Sequence, residues 1–243
     1  MATQNLTEYG FYNYTRMEDS YREERGNIPF GQGFNVQGSI GYLFNRNFGL
    51  ELGASYLLGS TSEIDFNYLA SSTNPNSSEV NYELSAQMYR INPSLVLKAK
   101  FRTISPYAKM GLIAGIGEVN FRRESKSVFS HYRSNFQVFG GISWGLSASM
   151  GANYAINRDL DLYAELNIIS MSYAPSKGLV TEYMINGENR LHSLTTEDKE
   201  VEFVEENTVD YNSPDSPDEP SSEVKHSLPF SSIGLNIGLS YKF

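Results

Sequence analysis

The chain contains no cysteine, one tryptophan and three histidines among 243 residues. The lack of thiols excludes disulfides, thiolate metal sites and cysteine nucleophiles. No run of 18 or more apolar residues occurs, which excludes a transmembrane helix. The opening Met-Ala-Thr-Gln-Asn lacks the basic region and apolar core of an export signal. Basic residues are scarce: 19 Lys and Arg face 28 Asp and Glu, giving a net charge of −9. That balance argues against nucleic acid as a partner, which would require a basic footprint.

What the chain has instead is 17 Tyr, 14 Phe and 20 Gly, and a strict alternation at its end. Ile233, Leu235, Ile237, Leu239, Tyr241 and Phe243 alternate with Gly234, Asn236, Gly238, Ser240 and Lys242. A strand sends alternate side chains to opposite faces, so one face is bulky and apolar and the other small and polar. A soluble sheet would hide the bulky face and carry large charged groups outside. Small polar residues instead fit the interior of a narrow barrel, with the bulky face turned to lipid.

The same alternation recurs along the chain. It runs over 34–44, returns over 48–56 after the turn Asn45-Arg46-Asn47, and continues over 83–101, where Pro93 predicts an irregular ladder. After a short turn, Arg102 to Ser105, it spans 106–120, then 135–156, and after Asn157-Arg158-Asp159 it spans 160–168. The 135–156 stretch exceeds the roughly 9–11 residues of a membrane crossing, so its loop-side end is expected to project from the bilayer. A weaker strand is placed around Leu6 to Tyr14. Long polar loops are expected at about 16–29, 59–81, 121–134 and 174–230. The pattern predicts an all-β fold in a single domain over 1–243. That fold is an eight-stranded antiparallel up-and-down transmembrane β-barrel with short periplasmic turns and long external loops.

The final segment also resembles the carboxy-terminal assembly signal of bacterial outer-membrane barrels, with Asn236, Gly238, Tyr241 and Phe243 in its polar, glycine and aromatic slots. Over residues 34–243 the chain is similar to the eight-stranded family that includes the transmembrane domain of the major outer-membrane protein A. Asn47-Phe-Gly-Leu-Glu-Leu-Gly-Ala-Ser-Tyr56 and Leu162-Tyr-Ala-Glu-Leu-Asn167 are phrased like its Bacteroidetes branch. The resemblance implies a Gram-negative outer membrane, with membrane lipid and the barrel-assembly machinery as partners. It implies no cofactor and no enzymatic activity, and an export signal removed from this numbering.

Candidate functional residues fall into three groups. Glu51, Arg90, Lys98, Lys100, Lys109, Asp161, Glu165 and Lys242 lie on the inward face and are expected to pair as an ion network filling the lumen, or to line a narrow ion path. The stretch 174–230 holds 13 acidic against four basic residues, equal to the net charge of the chain. Within it, Glu197, Asp198, Glu200, Glu202, Glu205, Glu206 and Asp210 form a candidate docking loop for an envelope partner, with Thr195 to Val204 as a short hairpin arm. No Asp-x-Asp-x-Asp-Gly spacing marks a calcium loop. Ser130, His131 and Ser227 are the raw material for a lipid-modifying enzyme, without a motif around them. Tyr42, Phe44, Phe48, Phe101, Tyr154, Tyr241 and Phe243 gather near the turns as an interfacial girdle. The reading is a non-enzymatic surface or structural barrel that docks partners through its loops. A narrow, porin-like pore or transporter, a lipid-modifying enzyme and a soluble lipocalin-type barrel are the alternatives.

Overall fold

The computed structural model describes residues 11–16, 21–26, 30–68, 78–99, 101, 103–207 and 216–243. Among the described residues, strands β1 (Phe11–Arg16) and β2 (Tyr21–Gly26) pair only with each other. Next come β3 (Gly33–Leu43), β4 (Phe48–Gly59), β5 (Ser62–Tyr68), β6 (Ser78–Lys98), β7 (Ile104–Ser127) and β8 (His131–Phe139). They are followed by β9 (Ser143–Ala155), β10 (Leu160–Tyr173), β11 (Lys177–Ile185), β12 (Glu188–Asn189) and the one-turn helix α1 (Thr196–Lys199). The chain ends with β13 (Glu200–Val204), β14 (Ser221–Val224), β15 (Leu228–Pro229) and β16 (Ser232–Tyr241). Strands β3 to β16 join into one 14-stranded sheet.

Seven of these strands form a curved wall in the order β3-β4-β6-β7-β9-β10-β16, each antiparallel to its neighbours. The alternation decides which face is which. Leu112 is 58% exposed, Trp144 66% and Ile237 70%, all on the outer face. Ser143, Ser147, Asp161 and Glu165 are buried on the inner one. A soluble barrel would show the reverse, so the outer face forms an apolar belt suited to hydrocarbon.

The two short turns Asn45-Arg46-Asn47 and Asn157-Arg158-Asp159 use the same device. Asn45 Oδ1 accepts from the N–H groups of Asn47 and Phe48, each at 2.8 Å. Asn157 Oδ1 accepts from Asp159 at 2.9 Å and Leu160 at 2.8 Å. An Asn side chain replaces a missing backbone partner in each turn, which is why Asn opens both. Pro93 interrupts the β6–β7 ladder between Ile91–Ala114 and Ser94–Gly111. Its carbonyl lies where a side chain at 111 would stand, and Gly111 leaves that space free.

Strands β6 and β7 continue past the belt, and β7 serves two partners. Its residues 104–115 pair with β9, and 118–126 pair with β8. The expected single strand over 135–156 is therefore two strands. Gly140 (φ 78°) and Gly141 (φ 77°) break it in a backbone conformation that side chains disfavour, and the chain leaves the outer sheet to enter the wall.

Several sequence expectations change here. The described strands form no closed eight-stranded barrel; the sheet has 14 strands, and the edges of β3 and β16 are left unpaired with each other. Residues 6–10 of the expected first strand lie outside the described residues, while 11–16 pair with 21–26, inside the expected loop 16–29. The expected loops 59–81, 121–134 and 174–230 carry strands β5, the ends of β7 and β8, and β11 to β15. These segments are polar on one face because they stand in water, yet each shares ladder bonds with the wall or with its extensions. The hairpin arm expected over Thr195 to Val204 is also different. Thr195 caps α1 in a reciprocal capping box with Asp198, and β13 then pairs antiparallel with β11 and parallel with β14.

Candidate functional site

Two interior layers are stacked along the wall. The lower, toward the short turns, is ionic. Lys109 of β7 donates to Glu51 of β4 at 2.8 Å and reaches Glu165 of β10 at 3.0 Å. Tyr107 donates to Glu165 Oε2 at 3.0 Å, and Asn236 of β16 donates to its other oxygen at 3.3 Å. Strands β4 and β10 are not neighbours, so these contacts cross the lumen and fill it. Near the rim, Lys242 pairs with buried Asp161 at 2.6 Å. Lys98 ends β6, its carbonyl accepting from Asn47 Nδ2 at 3.0 Å. Lys100 lies outside the described residues. Arg90 donates to Asn35 at 2.8 Å and meets no carboxylate among the described residues.

The upper layer is apolar, and the sequence reading missed it. Leu57, Leu84, Met88, Ile113, Val119 and Met171 point inward from the wall and meet Val138, Phe203, Phe230 and Phe30 from the loop end. Tyr173 is fully buried there; its ring packs edge-on against Phe230, and its hydroxyl lies 2.6 Å from the Gly117 carbonyl and 2.8 Å from that of Gly140. Each fully buried Leu, Met or Phe contributes about 1.5–3 kcal/mol, so this cluster is a true core.

A readable signal marks where the wall leaves the belt. On β6 the outward residues Tyr89, Ile91, Leu95 and Leu97 are apolar. Beyond Tyr89 the apolar residues Met88, Ala86 and Leu84 take the inward face instead. Gln87 and Glu118 stand opposite each other at this boundary, hydrogen-bonded to one another, with Tyr56 bonded to Gln87. Gln137 also donates to Glu118, at 2.6 Å.

Above that boundary β5, the upper halves of β6 and β7, β8, β11, β13 and β14 form an external sheet. Within the candidate docking stretch, Asp198 is engaged in the α1 cap, Glu200 lies 3.8 Å from Lys199, and Glu205 accepts from Lys225 at 2.8 Å. Glu197, Glu202 and Glu206 make no ion pair among the described residues, and Asp210 lies outside them. No group of three or more His, Asp or Glu is arranged to hold a metal ion among the described residues.

His131 is likewise committed locally. Its Nε2 lies 2.7 Å from Glu124 Oε1, while Ser130 bonds Ser127 in the hairpin turn. No serine hydroxyl bonds His131 among the described residues. Hydrogen bonds from His131 and Lys126 hold the Glu124 carboxyl down at about 2, below its ordinary 4.5. A depressed carboxyl adds stability above its ordinary pKa and loses it as pH falls from 4.5 toward 2. Because the group is solvent-accessible the contribution is under ~1 kcal/mol. Amide exchange in the β7–β8 hairpin should therefore quicken over that window, and Glu124→Gln should abolish the change.

A sheet with an apolar outer belt, a polar rim and a charged, largely paired interior defines a membrane-spanning β-protein. The chain belongs to the family described as outer membrane protein beta-barrel domain, which matches residues 5–196. It is an outer-membrane protein. No curated protein and no solved structure matches it. The matched span ends before β13, but β16 continues the wall in unbroken register with β10 from Leu160–Tyr241 to Ile169–Ser232. In that strand Tyr241 faces outward with Ile237, while Asn236 turns inward to Glu165; Phe243, two residues past the end of the strand, is fully exposed.

Proposed function

We propose that this is a non-catalytic bacterial outer-membrane barrel, of eight strands when closed. Its role is structural and recognitive and is carried by the external sheet, which docks a partner in the cell envelope. The observation that carries this reading is the apolar core at the loop end. It plugs the lumen and also roots an ordered sheet in the wall. Disordered loops would suit a simple lipid anchor; a sheet held by continuous strands suits a fixed recognition surface. Closure is supported by the backbone groups along the edges of β3 and β16, for which hydrocarbon offers no water. Outer-membrane lipid and the barrel-assembly machinery are the partners implied by the belt and by the final strand.

The test is electrical and biochemical together. In planar bilayers the protein should give closed recordings, and gentle purification from native membranes should bring a stoichiometric envelope partner. That partner should be lost when residues 196–224 are replaced by a short linker. Steady single-channel openings from the intact protein would reverse the assignment in favour of a pore.

A further inference from the structure

Residues directly opposite each other across an antiparallel ladder share a face, so the registers of the external sheet sort its side chains into two sets. One face is a ladder of charges. Arg122 and Glu182 flank Asn135 there, and Glu124 stands opposite Arg133 one row on. Every basic side chain of that set has a carboxylate. Arg122 reaches Glu83 at 3.6 Å, and Lys126 and His131 reach Glu124 at 3.1 and 2.7 Å. Arg133 lies 3.5 Å from Glu124 and 3.9 Å from Glu182.

Arg123 is the exception, because it points to the other face. It belongs to the row Tyr82, Arg123, Ser134 and Tyr183, one residue each from β6, β7, β8 and β11. Below that row Phe121 and Phe136 pack on the apolar core. Arg123 Cζ stands 5.7 Å from the centre of the Tyr82 ring and 5.6 Å from that of Tyr132. Tyr132 in turn meets Tyr183 edge to face at 5.5 Å. Arg123 is exposed and has no ion pair or hydrogen bond among the described residues. Aromatic faces hold a guanidinium flat and leave its in-plane N–H donors to the solvent. Ser134, the one small side chain of the row, separates Arg123 from Tyr183, so the row dips between them.

We propose that this face binds an acidic sugar, with the carboxylate of a uronic-acid unit received by Arg123 and its ring laid against Tyr132 and Tyr183. The inference rests on the recognition role given to the external sheet and names the ligand class. A planar guanidinium takes a planar carboxylate through two parallel N–H···O bonds. The C–H groups of a sugar ring carry slight positive charge and pack on the negative face of an aromatic ring. Charge sets the limit. The stretch 174–230 carries 13 acidic against four basic residues, and it would repel a polyanion. The fit is therefore to a single acidic unit on an otherwise neutral glycan. An acidic peptide would satisfy Arg123 but would leave the tyrosine pair without a ring to stack on.

The experiment uses the full chain folded in detergent micelles and two matched probes. One is a disaccharide ending in glucuronic acid; the other is the same disaccharide with the carboxyl group reduced to the alcohol. In calorimetric titrations the acidic probe should bind about tenfold more tightly than the reduced one, the difference made by one charge-assisted pair. Arg123→Gln should bring the acidic probe down to the level of the reduced one. Tyr183→Ala should weaken both probes alike. Arg123 is exposed, so the Arg123→Gln protein should melt with the parent, which separates lost binding from lost fold. No binding of either probe, equal binding of the two, binding untouched by Arg123→Gln, or a tighter complex with a diglutamate peptide overturns the proposal. The docking test above replaces residues 196–224, which include none of Tyr82, Arg123, Tyr132 and Tyr183, so each reading can fail without the other.

Discussion

Lys109→Met is expected to destabilise the folded protein by about 3–5 kcal/mol, the cost of leaving buried carboxylates without their counter-charge. Glu51 and Glu165 share this one ammonium across the lumen. Glu165, 3% exposed, would keep only Tyr107 and Asn236 as donors. Urea unfolding in detergent micelles should show the loss as a lower midpoint with an unchanged slope. Adding Glu51→Gln and Glu165→Gln to Lys109→Met should restore most of it, because the charge imbalance is gone while the side-chain volumes remain. Failure of that rescue would mean that Lys109 acts through its shape and not its charge.

The inner face was legible as polar from Gly, Ser and Asn positions, and so was the choice of Glu51, Lys109 and Glu165 as inward residues. That such charges would pair across the lumen was legible too; which of them meet was not. It depends on β4, β7 and β10 curving toward one another, and curvature is a property of the whole sheet. The apolar layer was missed for a different reason. Leu84, Ala86 and Met88 lie on the face opposite Tyr89, Ile91 and Leu95, so a single-phase alternation read across 83–101 averages the two halves of β6. The inversion of phase at Gln87 and Tyr89 was present in the sequence. It marks the place where the outside changes from hydrocarbon to water and the inside from charged to apolar. The long polar loops hid strands because polarity on one face reports solvent, not disorder.

The second large effect tests that boundary. Leu112→Arg should destabilise by about 2–4 kcal/mol, since it puts a charge on the lipid face at the middle of the belt. Asn120→Arg, on the same face of the same strand, should change stability by less than ~0.5 kcal/mol. The two positions are eight residues apart, or roughly 26 Å along an extended strand, and lie on opposite sides of the polar pair formed by Gln87 and Glu118. Refolding into lipid vesicles and measuring the unfolding free energy of each variant decides the matter. Equal penalties at the two sites would place the external sheet inside the bilayer and displace the boundary drawn at Glu118.

Strand β7 runs for 24 residues without interruption, from the turn end of the wall into the external sheet. The same backbone therefore belongs to the anchored part and to the displayed part. A molecule seized at the outer surface would be held at a set angle to the membrane plane, because torque applied there passes along β6 and β7 into the anchored wall instead of being lost in a slack tether.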